Sequence, residues 1–165
     1  MCVGFVGLFL LTGCGYKPSA KMVQNQLSQT LSIEVIVDRH DPENTAFLRD
    51  ELYTLIQRRW HKRVVPFHQT QSHLRVGYAE STFSPLSYTD GYVTRYRIHL
   101  KLHFYFSSKE GKWDKLIESS VEADIPSNSQ LFATLKKEAM AEGISKALER
   151  FMAYVSAKSI QKESL

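Results

Sequence analysis

The clearest signal in the chain is a strict alternation of apolar and polar side chains in "YVTRYRIHLKLHFYF", residues 92 to 106. Tyr96, Ile98, Leu100, Leu102, Phe104 and Phe106 hold the even positions, and Arg95, Arg97, His99, Lys101 and His103 hold odd ones. A period of two is the signature of a strand buried on one face. "WDKLIESSVEADI", residues 113 to 125, alternates in the same way, with Trp113, Ile117, Val121, Ala123 and Ile125 apolar and Asp114, Glu118, Glu122 and Asp124 on the other face. A turn through "SSKEGK", residues 107 to 112, sets Phe106 opposite Trp113 and superimposes the two apolar faces. The same register places Lys101 opposite Glu118, Arg97 opposite Glu122 and Arg95 opposite Asp124. A slip of two residues would keep the core face but lose most of these pairs, so the charges select one register at roughly 0.2 to 1 kcal/mol per pair.

Shorter patterns predict the remaining elements. "LSIEVIV", residues 31 to 37, alternates with Leu31, Ile33, Val35 and Val37 on one face and reads as a strand. Asp41 and Pro42 fit an N-cap followed by proline in the first helical position, and Leu48, Leu52, Leu55 and Ile56 then recur at helical spacing toward Trp60. "HLRVGYA", residues 73 to 79, predicts a strand with Leu74, Val76 and Tyr78 inward; residues 80 to 91, with Pro85 and the pair Asp90-Gly91, read as a loop. A helix is expected from about Ser129 to Tyr154, capped by Asn128 or Ser129, with a stripe of Phe132, Leu135, Ala139, Ile144, Ala147, Leu148, Phe151 and Val155. The tail, residues 158 to 165, is expected to fray. The order β-α-β-β-β-α predicts an α+β fold: a four-stranded, mostly antiparallel sheet with two helices packed on one face. A hairpin of this length spans about 45 Å and the last helix about 40 Å, so the domain should be elongated.

Composition narrows the class. A chain of 165 residues with 43% apolar content buries one sizeable core, here residues 31 to 157. The formal charge is +4, and no nucleic-acid recognition motif accompanies it, so no nucleic-acid partner is expected. The start of the chain, "MCVGFVGLFLLTG", is uncharged and apolar as far as Leu11, about half of the ~20 residues a membrane-spanning helix needs, and reads as the apolar region of an export signal, residues 1 to 13. Leu11-Thr12-Gly13-Cys14 resembles the bacterial lipobox, in which the cysteine thiol takes a diacylglyceryl group and small neighbours admit the processing peptidase. Cys14 is therefore the expected lipidation site, and two or more acyl chains at ~0.8 kcal/mol per buried CH₂ give stable anchoring. Cys2 would leave with the signal, so no structural disulfide is expected. Residues 14 to 30 supply the lipidated cysteine and a polar tether that reaches up to about 50 Å when extended.

Catalytic patterns are missing. The chain has no GxSxG, HExxH or CxxC and no glycine-rich phosphate loop, so no enzyme, no catalytic residue and no cofactor beyond the lipid on Cys14 are expected. His99 and His103 share a face but stand four strand residues apart, about 13 Å, too far to share a metal ion. The basic run "RRWHKR", residues 58 to 63, closes the first helix, where cations complement the helix dipole. The row Arg95, Arg97 and Lys101 has the chemistry of a phosphate strip, but its nearest partners in the expected register are carboxylates, and pairing is the favoured role.

"LTGCGYKP" near the start, "FSPLSYTDGYVTRYRIHLKLHF" at residues 83 to 104, and the order of elements together resemble the LPS-assembly lipoprotein LptE family. The most specific part is Pro85-Leu86-Ser87-Tyr88, then Asp90-Gly91-Tyr92, then Tyr96-Arg97. The resemblance implies an outer-membrane lipoprotein, lipid-anchored on the periplasmic face, that plugs and helps assemble an LptD-type β-barrel and binds lipopolysaccharide on its way to the cell surface. It makes Phe83, Leu86, Tyr88 and Tyr92 candidate barrel contacts and Arg95, Arg97 and Lys101 candidate lipopolysaccharide contacts. Gly15 after the cysteine fits outer-membrane sorting in that family. Two rival classes stand beside it: a lipoprotein activator of a peptidoglycan synthase, and a periplasmic hydrolase with an unrecognised site.

Overall fold

The computed structural model describes residues 28–38, 42–125 and 132–163. Cys14, the signal segment and most of the tether lie outside them, as do the expected caps Asp41, Asn128 and Ser129. The described elements are β1 (Thr30–Val35), α1 (Pro42–Arg59), β2 (Arg63–Val64), a 3-10 turn (Phe67–Gln69), β3 (His73–Thr89), β4 (Tyr92–Ser108), β5 (Gly111–Asp124) and α2 (Phe132–Glu163).

The strands form one five-stranded sheet in the order β2-β1-β3-β4-β5. From β3 to β5 it is an antiparallel meander; β1 runs parallel to both of its neighbours, β2 and β3. The sheet is thus mixed and five-stranded rather than four-stranded. The physical reason is that β2 pairs through only two residues, too few to show periodicity, and that parallel pairing is set by where a crossover returns the chain rather than by any local pattern. Here α1 is that crossover.

The register expected for the long hairpin is the one observed. Arg95 faces Asp124, Arg97 faces Glu122, Lys101 faces Glu118 and Phe106 faces Trp113. Residues 80 to 91 depart from expectation: they continue β3 to Thr89, pairing with β4, and only Asp90 and Gly91 make the turn. Both turn residues have positive φ, 53° and 81°, as a two-residue hairpin turn that follows strand twist requires. Register shifts next to Tyr78, Pro85 and Ser87 absorb the proline and break the alternation, which is why the stretch looks like a loop in sequence. At the other end of the chain, α2 continues nine residues past Tyr154 to Glu163, through "SAKSIQKE", which contains neither glycine nor proline.

Both helices cover the same face of the sheet. Leu48, Leu52 and Ile56 of α1, and Ile144, Ala147, Leu148 and Phe151 of α2, are buried against Leu74, Val76, Ile98, Leu100, Leu102 and Phe104. Phe151 is the hub: its ring stacks on Phe104 at 3.9 Å and meets Trp60 at 5.7 Å and Trp113 at 6.1 Å. Buried polar groups are satisfied within this layer. Ser119 donates to the Gly143 carbonyl at 2.7 Å, tying β5 to α2, and Tyr78 donates to the Asn44 carbonyl at 2.9 Å, tying β3 to α1.

Candidate functional surface

With both helices on one side, the opposite face of the sheet carries the odd-numbered side chains of β4. Strand geometry dictates this: alternate residues must emerge on the face the helices leave uncovered. Arg95 donates to Asp124 at 2.6 Å and lies 4.0 Å from Glu122, and Arg97 donates to Glu122 at 2.7 Å. The Lys101 ammonium sits between two carboxylates, 2.8 Å from Glu80 on β3 and 3.5 Å from Glu118 on β5. The hydrogen bond with Glu80 holds the lysine above its ordinary pKa and holds the Glu80 carboxyl below its own. Arg95 is likewise held higher by its bond with Asp124. The three basic residues therefore meet four carboxylates in a ladder across three strands.

Glu80 is the member the sequence reading missed, because it fell in the supposed loop. The Asp90-Gly91 pair was the available signal for a hairpin that would have placed it.

Beyond Phe83 and Ile98 the sheet stays three-stranded as far as Arg95, opposite Asp124, and past that pair β3 and β4 run on to the Asp90-Gly91 turn. Leu86, Tyr88 and Tyr92 are exposed there, Tyr92 at 78%. Phe83 differs from these three: it is half-buried, its ring stacked on Tyr96 at 4.6 Å with the Lys136 ammonium 5.5 Å from its centroid. The structure thus gathers three of the four candidate contacts at one tip and places the fourth at its root.

The far end of the same sheet face bears an open groove of 760 Å³. Ile36, Phe67 and Tyr105 line its exposed apolar surface, with Glu34 and Arg75 paired across it at 2.8 Å. Phe67 stacks on His73 at 3.9 Å, and His73 Nδ1 is 2.7 Å from the Ser32 hydroxyl. His103 Nε2 is 3.0 Å from an Asp114 carboxylate oxygen, and its ring lies 3.8 Å from that of Tyr105. Ser32 and His73 both line the groove, the hydroxyl within hydrogen-bond reach of the imidazole. Among the described residues, no group of three or more His, Cys, Asp or Glu converges as a metal site, and no helix is long and apolar enough to cross a membrane.

The run at residues 58 to 63 is partly structural. Trp60 is buried in the core, and Arg58 and Arg59 occupy the last turn of α1. Lys62 is 5% exposed, and burial lowers its pKa.

This architecture is one found in bacterial lipoproteins. The chain superimposes on rare lipoprotein B from Shewanella oneidensis with a TM-score of 0.58 at 17% identity, over 81% of this chain and 98% of that one. A lipoprotein B from Nitrosomonas europaea gives 0.58 at 12% identity over 79% and 83% of the two chains. A minor lipoprotein from Acinetobacter baumannii gives 0.51 at 12% over 80% and 94%. At these identities the likeness is one of fold. No family model matches the chain, and no curated protein matches it.

Proposed function

We propose that this chain is an outer-membrane lipoprotein, anchored through Cys14 on the periplasmic face, that seats as a plug in a large β-barrel of the lipopolysaccharide transport machinery. The observation that carries this reading is the projecting hairpin. β3 and β4 are 17 residues each, about 55 Å of strand, and they run past the end of β5, whose pairing along β4 reaches Arg95. Leu86, Tyr88 and Tyr92, exposed together where this hairpin ends, gain from a surrounding partner surface. The sequence resemblance to the LptE family and the lipoprotein fold support the same reading from independent directions.

In this proposal the lumen of an LptD-type barrel contacts the tip and Phe83 at its root. Arg95, Arg97 and Lys101 would meet lipid A phosphates only by exchanging their carboxylate partners, so lipopolysaccharide binding there is competitive with the ladder.

The test is to solubilise membranes in mild detergent, capture the protein by a C-terminal tag and identify what accompanies it. A stoichiometric large outer-membrane barrel is the expected result. Recovery of a peptidoglycan synthase in its place, or of the lipoprotein alone, would overturn the plug assignment.

A further inference from the structure

The end of the domain opposite the hairpin tip has a different chemistry, and the position of the tether gives it meaning. Ser32 of β1 pairs with His73, and His73 pairs with Ser107, so the chain joins the sheet at the end where β4 turns into β5. α2 finishes at that same end. Lys158 Nζ lies 5.0 Å from the Trp113 ring centroid and 5.8 Å from that of Tyr154; Lys115 Nζ lies 5.2 Å from Tyr154. Trp113 and Tyr154 meet edge to face at 5.7 Å. A shallow cleft of 210 Å³ beside them is lined by Lys112, Trp113 and Lys158, with Glu110 as its one carboxylate. Lys109 stands exposed on the turn itself. Lys112, Lys115 and Lys158 thus lie about an indole and a phenol at the end nearest the tether, with Lys109 on the adjacent turn.

We infer that this basic, aromatic end is a membrane-docking surface that rests on the anionic headgroups of the lipid layer to which Cys14 attaches the chain. Lysine ammonium groups pair with lipid phosphates, while tryptophan and tyrosine present an apolar body with a polar atom suited to the headgroup depth. Location decides between this surface and an unspecific charged patch. Only thirteen residues, 15 to 27, separate the lipidated cysteine from the described chain, so this end is kept within about 50 Å of the bilayer.

This inference rests on lipidation at Cys14, and the experiment separates the two. The full lipidated chain is reconstituted into vesicles of phosphatidylcholine, or of phosphatidylcholine with one quarter phosphatidylglycerol, each carrying brominated acyl chains that quench nearby tryptophan. Trp60 is buried in the core, so quenching reports Trp113. Quenching at least about twofold stronger in the anionic vesicles is expected, with the excess removed by high salt and by the variant Lys109→Gln/Lys112→Gln/Lys115→Gln. Equal quenching in the two vesicle types, or an excess that survives the triple substitution, overturns the docking surface. A Lys109→Gln/Lys112→Gln variant leaves the lysine–aromatic contacts in place and is expected to lose part of the excess. Comparing flotation of the full chain and its Cys14→Ser variant on the neutral vesicles tests the anchor alone. Equal flotation there would remove the lipidation assignment while leaving the anionic excess interpretable.

Discussion

Gly77 lies directly under Ile36: a Cβ built on residue 77 would stand 3.0 Å from the Ile36 Cδ1 and 3.1 Å from its Cβ. The Ile36 amide donates to the Val76 carbonyl at 2.7 Å, so the isoleucine backbone is held where it is. The Cδ1 can swing aside into solvent; the Cβ moves only with the strand.

Gly77→Ala should therefore destabilise the domain by about 1 kcal/mol despite alanine's lower backbone entropy cost. Denaturant midpoints of Gly77→Ala, Ile36→Gly and the double variant would show it. Recovery of most of the loss in the double variant is expected, and an additive double variant would mean that the cost does not come from this contact.

Phe151 joins both helices to the sheet through its contacts with Trp60, Phe104 and Trp113. Phe151→Ala should cost about 3 to 5 kcal/mol, more than a typical core truncation on α1, because three aromatic partners lose a face at once. Chemical denaturation of the variant beside Leu48→Ala ranks the two sites.

The ladder predicts a pH dependence at Lys101. Glu80 has its carboxyl held below its ordinary value of 4.5 by the hydrogen bond and charge of Lys101, so the stabilisation is present above that value and is lost as pH falls through the lowered one. Lys101 is held above 10.5, so its share persists up to that pH and is lost above it. Lys101→Gln should melt slightly below wild type at neutral pH, and the two melting curves should converge under acid. A gap that stayed constant down to pH 2 would assign the effect to packing of the lysine stem.

At the tip, Tyr88→Ser/Tyr92→Ser should leave stability within about 0.5 kcal/mol, since both rings are exposed, while lowering barrel recovery in the tagged capture by tenfold or more. Unchanged recovery with an intact melting curve would move the contact elsewhere.

What was legible in the sequence was what depends on neighbours along the chain or on one strong cross-strand code. The β4–β5 register followed from two complementary alternations and the opposed charges of Arg95, Arg97 and Lys101 against Asp124, Glu122 and Glu118. The burial of Leu48, Leu52, Leu55 and Ile56 followed from helical spacing. The outer half of β3 was hidden because three register shifts and Pro85 scramble its alternation, and with it went Glu80, the partner closest to Lys101. β2 and the parallel seating of β1 were hidden for another reason: they depend on where α1 delivers the chain, a relationship between distant residues that no window of sequence contains. The lysine–aromatic end was hidden likewise, since Trp113 and Lys158 meet only after α2 has traversed the sheet.

The seating of β1 has a mechanical side. A strand on a sheet's rim unzips one hydrogen bond at a time under load, whereas β1 is bonded to β2 on one flank and β3 on the other. Tension arriving through the segment before Thr30 meets the β2 ladder at Thr30 and Leu31 first, and then the β3 ladder from Ser32 to Val35. Under the proposed anchorage through Cys14, a pull on the tether has to undo the pairing with β2 before it reaches the pairing with β3.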